Sequence, residues 1–316
     1  MKKVIGVFAL IAINTTVLWA QTDSVSTEEL SNVQSFTPSK LLKKGQVDVQ
    51  LFNNLYTQTA GRGNDRKLVQ NSTRDTYFRT FAQLLVGTSE SARVNWGMDL
   101  VFSSVRIDSD PKSAALKVLQ FGNSAETAVQ TRTAFTAIGP KVKFSPFKNH
   151  PDFSIQSALW IPLAKDSESD ASVKPWIDWN RITSWTQLFY SQNLNSKWQL
   201  FYEFDLLARI GLSEGFYEQS VGIAGIKKGV LLSTPMSFFA NYFSSDKSTV
   251  YAMVQYAPTF GLAPSVAYNG DYFQAGLGGK YQLTDYLQLE LLYSNFFLSQ
   301  NNGAGNTYNV GLRYIR

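Results

Sequence analysis

Residues 286–294 alternate between apolar and polar side chains with a period of two, and this alternation constrains the fold more than any other feature of the chain. Period two is the repeat of a β-strand, whose successive side chains point to opposite faces of the sheet. The apolar set is Leu287, Leu289, Leu291 and Tyr293, and the polar set is Gln288, Glu290 and Ser294, with Leu292 as the exception. The segment is therefore predicted to be a strand with two chemically different sides.

The same alternation recurs along most of the chain. From Gly45 onward it predicts about fourteen strands, with twelve as the alternative because bacterial barrels have an even number of strands. Gly and Pro blur the period in segments 220–232 and 262–269, which are both included in the count of fourteen. Repeated strands with one bulky apolar side favour a transmembrane, antiparallel, up-and-down β-barrel.

The predicted connectors alternate between short and long. The short ones are 88–91, Lys148–Asp152, Asn193–Ser196, Ser233–Pro235 and Thr284–Asp285. The long ones are Ala60–Thr73, Ser109–Gln130, Lys165–Lys174, Gly211–Gln219 and Gln300–Asn306. This rhythm is expected when one barrel rim faces the periplasm and the other faces the outside.

The first twenty residues have the features of a secretory signal. Lys2 and Lys3 precede a mostly apolar stretch, and Ala20 supplies a small residue at the expected cleavage site before Gln21. The predicted organisation is a signal peptide at 1–20, a periplasmic N-terminal stub at 21–44 and the barrel at 45–316. The stub contains few apolar residues and shows no strand alternation; a short helix or a small plug remains the alternative for it.

Composition agrees with an inserted barrel and narrows the possible partners. The chain has 29 Lys and Arg against 24 Asp and Glu, which is too balanced to indicate nucleic-acid binding. After the leader no stretch reaches the roughly 18 apolar residues of a membrane-spanning helix. There is no Cys, and aromatic residues form 14% of the chain. Many of these rings fall near predicted strand ends, as interfacial girdles do, although a soluble β-sandwich or propeller would also give regular strands.

Three segments resemble Gram-negative outer-membrane β-barrels, particularly the porin-like and transporter-like barrels of Bacteroidetes-type bacteria. They are the leader end Leu18-Trp19-Ala20-Gln21, the hairpin Lys280-Tyr281-Gln282-Leu283-Thr284-Asp285-Tyr286-Leu287, and the last strand, Tyr308–Arg316. The resemblance implies an outer-membrane location, contact with outer-membrane lipid, and insertion by a barrel-assembly machinery. The chain departs from such barrels in ending on Arg316 instead of an aromatic residue.

Catalytic and metal-binding residues are scarce. The single His, His150, lies beside Pro151 in a predicted turn, where a turn residue is a better interpretation than a Ser-His-Asp site. One His and no Cys leave little for transition-metal ligation. We therefore expect no enzymatic activity and no cofactor, and an outer-membrane hydrolase is the least favoured function.

The charged and polar residues on one face of the strands indicate which side chains line the lumen. Charged side chains on a lipid face would cost about 2–4 kcal/mol near the midplane, so they are predicted to face the lumen. The predicted lumen-lining residues are Arg79, Gln83, Arg93, Asp99, Glu203, Asp205, Arg209, Lys280, Glu290 and Arg313. The glycines Gly276, Gly278 and Gly279 are interpreted as making room in the lumen or letting the sheet bend.

Mixed charges in a lumen can select among solutes, or they can hold a filled barrel together. The favoured function is a pore or transporter for small solutes. The alternative is a structural or interaction barrel of a surface or secretion assembly, with loop 109–130 as its contact.

Overall fold

The computed structural model describes residues 38–164, 175–178, 181–211, 230–262 and 269–316. In these ranges the chain is almost entirely β-structure. The strands are β1 Val47–Arg62, β2 Leu68–Gly87, β3 Val94–Asp108, β4 Ser124–Ala125, β5 Val129–Phe144, β6 Phe153–Pro162, β7 Arg181–Asn193, β8 Trp198–Gly211, β9 Val230–Ser233, β10 Met236–Ser245, β11 Ser248–Tyr256, β12 Thr259–Gly261, β13 Asn269–Gln282, β14 Leu287–Gln300 and β15 Asn302–Ile315. One 3-10 helix, Ala115–Leu119, lies between β3 and β4.

The strands form one closed antiparallel barrel. Most strands pair with their sequence neighbours; β4 is a short addition to β5, and β9 to β12 pair as two interrupted strands. The first strand pairs with the last over most of its length, from Asp48 opposite Ile315 to Arg62 opposite Asn302. Closure satisfies the strand edges that an open sheet would leave unpaired. The all-β antiparallel barrel expected from the alternation is therefore confirmed.

In the part of the chain that the structure describes, the barrel wall contains twelve strands, so the count of fourteen was wrong and the alternative count was right. Strands β9 and β10 both pair with β8 and together form one wall strand, interrupted at Thr234 and Pro235. Strands β11 and β12 both pair with β13 and form the next one, interrupted at Ala257 and Pro258.

Pro235 explains one of the two extra strands, because the turn predicted at Ser233–Pro235 divided one wall strand into two. Pro235 and Pro258 have no N–H to donate to the ladder, so each interrupts a strand without ending it. The backbone N–H of Thr234 donates to the carbonyl of Pro258 (3.0 Å), which keeps the two broken strands together. The short turn predicted at Ser233–Pro235 is therefore wrong. Most of the predicted strands 220–232 and 262–269 lies outside the described residues.

The alternation that defines β14 appears in the structure as alternating exposure. Leu291 and Tyr293 are 51% and 46% exposed, whereas Gln288 and Ser294 are 5% and 1% exposed. Exposed large apolar residues recur in the same way on most wall strands, for example Trp96 and Met98 in β3. The barrel thus has an apolar outside and a polar inside.

The two ends of the barrel differ, and we name them by their connectors. The short-turn rim has connectors 88–93, 145–152, 194–197, 246–247 and 283–286, and it also carries the start of β1 and the end of β15. The long-loop rim has connectors 63–67, 109–128, 163–180, 212–229, 262–268 and Asn301. Two predicted long connectors, Ala60–Thr73 and Gln300–Asn306, are mostly strand. Between β14 and β15 the connector is the single residue Asn301, whose positive φ of 49° makes a tight turn.

Connector 109–128 folds back over the outside of β2 and β3. Within this connector, the Val118 side chain is buried. The Ser104 hydroxyl of β3 donates to the Val118 carbonyl (3.0 Å). Phe121 packs against Phe78 and Phe102, with ring centroids 6.2 and 5.2 Å apart. Within the described ranges, no helix has the length and apolar character needed to cross a membrane.

Candidate functional site

A cavity of about 280 Å³ lies inside the barrel, towards the short-turn rim. Its lining consists of amides, aromatic rings and a few charged groups contributed by nine strands and by Pro38. The charged and amide residues are Gln50, Gln83, Lys143, Gln156, Gln187, Glu203, Lys280, Gln288, Glu290 and Arg313, and the rings belong to Phe52, Phe81, Trp185 and Phe189. Half of the predicted lumen-lining residues therefore meet here: Gln83, Glu203, Lys280, Glu290 and Arg313.

Lys280 and Glu290 face each other across the β13–β14 pair. Lys280 Nζ lies 3.8 Å from Glu290 Oε2, and the Tyr251 hydroxyl donates to Glu290 Oε1 (2.5 Å). Tyr251 reaches Glu290 by lying over Gly278, where a Cβ would come within 2.6 Å of its hydroxyl oxygen. Gly278 thus makes room inside the barrel for a side chain that bonds Glu290.

Arg313 is held by Asp48 at the β1–β15 junction. Its Nη2 lies 2.6 Å from Asp48 Oδ2, and Nε also donates to the same carboxylate. Gln50 Nε2 donates to Asp48 Oδ2 at 2.9 Å. The Arg313 charge is therefore balanced where the barrel closes.

A chain of amides leads to the two acidic residues of β8. Gln156 Nε2 donates to Gln187 Oε1, and Gln187 Nε2 donates to Glu203 Oε1, both at 2.7 Å. Asp205 follows Glu203 on the same face, is buried, and does not border the cavity. The amides orient the Glu203 side chain.

Asp99 does not border the cavity, because it pairs with a lysine within the wall. Lys141 Nζ lies 2.6 Å from Asp99 Oδ1, and neither side chain is exposed. The indole Nε1 of Trp160 donates to Asp99 Oδ2 at 2.9 Å. The predicted lumen residues did not include Lys141 and Lys143, although both alternate with apolar Val142 and Phe144 in β5.

Residues 175–178 of connector 163–180 turn into the barrel from the long-loop rim. Asp178 Oδ1 lies 3.0 Å from Arg79 Nη2, and Ile177 is buried. The Trp176 ring packs on Tyr77, with centroids 6.1 Å apart. Arg209, another predicted lumen residue, donates to the Ser233 hydroxyl (3.2 Å). Arg79 and Arg209 thus lie away from the cavity, and Arg79 meets this inward segment.

Residues 38–44, which we call the N-terminal strap, lie inside the short-turn rim. Leu42 exchanges two hydrogen bonds with the Asn95 side chain (2.9 and 3.0 Å) and packs on Leu85 and Ile315. Lys143 Nζ donates to the carbonyls of Pro38 and Lys40. The N-terminal strap is the end of the segment 21–44 that the sequence analysis predicts to be a periplasmic stub. Residues 21–37 lie outside the described ranges.

Two further arginines lie at the rims. Arg93 donates to the carbonyls of Ser145 and Pro146 in a short turn and does not border the cavity. Arg66, in connector 63–67, makes a two-pronged pair with Asp271 at 2.9 and 2.6 Å. Hydrogen bonding to that carboxylate raises the pKa of Arg66 above its ordinary value.

The single histidine lies at the short-turn rim. His150 is exposed in connector 145–152, with its ring centroid 6.2 Å from that of Phe147. Among the residues that the structure describes, no three His, Cys, Asp or Glu side chains cluster in a way that would hold a metal ion.

Comparison with solved structures relates the fold to bacterial barrels. An outer-membrane channel from Pseudomonas putida F1 matches with a TM-score of 0.65 and 13% identity, over 88% of this chain and 97% of that one. The β-domain of the Bordetella autotransporter BrkA matches with a TM-score of 0.51 and 10% identity, over 85% and 99% of the two chains. No protein-family model and no curated protein matches the sequence. At these identities the likeness concerns the fold.

Proposed function

We propose that the chain is an outer-membrane barrel that lets small solutes cross through a mixed-charge lumen. One observation carries the proposal: a closed twelve-stranded barrel with an apolar outside encloses polar, charge-paired walls and a cavity. A soluble barrel would not expose Trp, Leu and Val side chains over most of its outer wall, because water would then solvate that apolar surface. In a membrane these side chains contact lipid, so their apolar surface is not exposed to water.

The location follows from the same pattern. The predicted signal at 1–20 would export the chain, and a barrel-assembly machinery would insert it. The short-turn rim, which carries both ends of the barrel sequence, would face the periplasm, and the long loops would face outward. The fold likeness to the Pseudomonas putida channel supports this assignment.

The predicted lumen residues form two groups in this proposal. Gln83, Glu203, Lys280, Glu290 and Arg313 border the cavity and would meet a passing solute. Arg79 and Arg209 would act nearer the long-loop rim, beside the inward segment 175–178. Asp99, Asp205 and Arg93 would act mainly through neighbours in the wall or at the turn. The barrel needs no catalytic residue or cofactor for this function.

Two segments narrow the path. The N-terminal strap enters from the short-turn rim and segment 175–178 enters from the long-loop rim. A barrel of about this strand number holds a lumen wide enough for a small ligand, so solutes would pass beside these segments. The proposal therefore implies restricted, solute-selective passage.

Liposome swelling tests the proposal. Full-length protein reconstituted into vesicles should accelerate the influx of small solutes over empty vesicles, and the rate should fall steeply with solute size. Equal rates with and without inserted, heat-modifiable protein would reject passage.

The second candidate is a structural or interaction barrel. Connector 109–128 favours it, because Leu116, Leu119 and Phe121 are exposed on a segment that lies against the outer wall. This barrel would insert equally well and would give no swelling. For the hydrolase function, an unchanged phenotype of His150→Ala would exclude the only histidine as a catalytic base.

A further inference from the structure

We infer that the cavity binds a small, uncharged, polyhydroxylated solute of monosaccharide size. The inference rests on the proposed function, since the solute would reach the cavity through the barrel. The inference concerns the chemical class of solute that the cavity binds. Three observations support it: the charged groups at the cavity are paired, the Gln288 amide has an unpaired donor, and aromatic rings line the wall.

The cationic charges that border the cavity are already engaged. Lys280 lies beside Glu290, Arg313 is bound to Asp48, and Lys143 donates to two carbonyls of the N-terminal strap. An anionic solute would have to displace these partners. An uncharged solute leaves them in place.

One amide points to a missing acceptor. Gln288 borders the cavity, is only 5% exposed, and its Nε2 finds no hydrogen-bond partner among the described residues. Buried donors in folded proteins are normally satisfied, and the Oε1 of Gln282, opposite Gln288 in the β13–β14 register, is also unpaired. We infer that the Gln288 amide turns to an acceptor in the cavity when a solute binds. A solute hydroxyl supplies such an acceptor, and a purely apolar solute does not.

The remaining lining suits a hydroxylated ring. Gln50, Gln83, Gln156 and Gln187 bring further amides to the wall, and each amide can both donate to and accept from hydroxyl groups. Aromatic rings interleave with them: Phe81 and Trp185 pack with centroids 6.2 Å apart, and Phe52 and Phe189 also border the cavity. The C–H face of a sugar ring packs on such rings while its hydroxyls bond the amides. The volume of about 280 Å³ lies at the lower end of small-molecule sites.

Calorimetric titration of the detergent-purified full chain tests the inference. The probes are D-glucose, D-galactose and N-acetyl-D-glucosamine, with L-lysine and L-glutamate as charged comparisons. We expect saturable binding of at least one sugar and none of either amino acid. Saturable binding of an amino acid, or of no sugar, would overturn the inference.

The variant Gln288→Leu removes the unpaired amide at nearly constant volume. It should weaken sugar binding about fivefold, the effect of losing one hydrogen bond. Gln192→Leu makes the same chemical change at an exposed position outside the cavity and should bind like the parent chain. Equal affinity in the two variants would reject the role of Gln288. If Gln288→Leu fails to give a heat-modifiable barrel, Phe52→Ala removes a ring of the same wall and should also weaken binding.

Calorimetry tests the proposed binding site, and liposome swelling tests the proposed passage of solutes. Binding in detergent does not require passage, so sugar binding with no liposome swelling would reject the pore and keep the site. Swelling without saturable sugar binding would reject the site and keep the pore.

Discussion

The ammonium group of Lys141 lies 2.6 Å from a carboxylate oxygen of Asp99, and neither side chain is exposed. Taking two charges out of water is costly, and the pair persists because each charge neutralises the other and Trp160 supplies a further donor. Arg313 with Asp48 and Lys280 with Glu290 repeat the arrangement around the interior. The wall is thus held by paired charges from different strands.

The first prediction concerns this pair. Lys141→Met leaves the Asp99 charge buried without its cation and should lower the free energy of unfolding by about 3–5 kcal/mol. Adding Asp99→Asn should recover most of the loss, because the Asn carbonyl still accepts from Trp160. Urea unfolding of the refolded barrel measures both variants. A single variant as stable as the parent would show that the pair is not buried in this way.

The second prediction concerns Gly278. A Cβ at this position meets the Tyr251 ring, so Gly278→Ala should lower the free energy of unfolding by about 1–3 kcal/mol through overpacking. Gly61→Ala is the matched control, since the nearest atom to its Cβ is the Asn302 carbonyl oxygen at an ordinary 3.5 Å. Unfolding in urea compares the two. Tyr251→Leu should rescue Gly278→Ala only in part, because the Cβ would also lie 2.7 Å from the Leu291 carbonyl oxygen. No rescue at all would show that the clash with Tyr251 is not the cause.

Alternation predicted the barrel and the direction of most side chains, because burial differs between the two faces of each strand. It failed on the number of strands, in part because Pro235 interrupts a wall strand without turning the chain. It also missed the N-terminal strap. Residues 38–44 carry no periodic pattern, and their partners Asn95, Lys143 and Ser191 are far away in sequence. Such contacts depend on the closed barrel and cannot be read from local sequence.

The third prediction tests the N-terminal strap. Ser39 is buried and bonds Ser191 with its hydroxyl (2.6 Å), whereas Lys44 is exposed at the rim. In this cysteine-free chain, the single variant Ser39→Cys should react with a maleimide about tenfold more slowly than Lys44→Cys, because thiol reactivity follows access. Thiol labelling followed by mass spectrometry gives the rates. Similar rates would place the strap outside the barrel.

The fourth prediction concerns segment 175–178. Asp178→Asn removes the negative charge beside Arg79 and should shift the ion preference of the barrel towards anions. Reversal potentials in a salt gradient measure the shift. Asp110→Asn removes the same charge from an exposed position in connector 109–128 and should leave the potential unchanged. A shift of equal size in both variants would contradict a local role for Asp178.

Single-channel current through the full-length chain in a planar bilayer tests passage most directly. We expect stable stepwise currents, and Glu290→Gln, which removes the acidic group that borders the cavity beside Lys280, should lower the preference for cations. Glu126→Gln, exposed in connector 109–128, should behave like the parent chain. A refolded, heat-modifiable and inserted protein that carries no current would contradict the account.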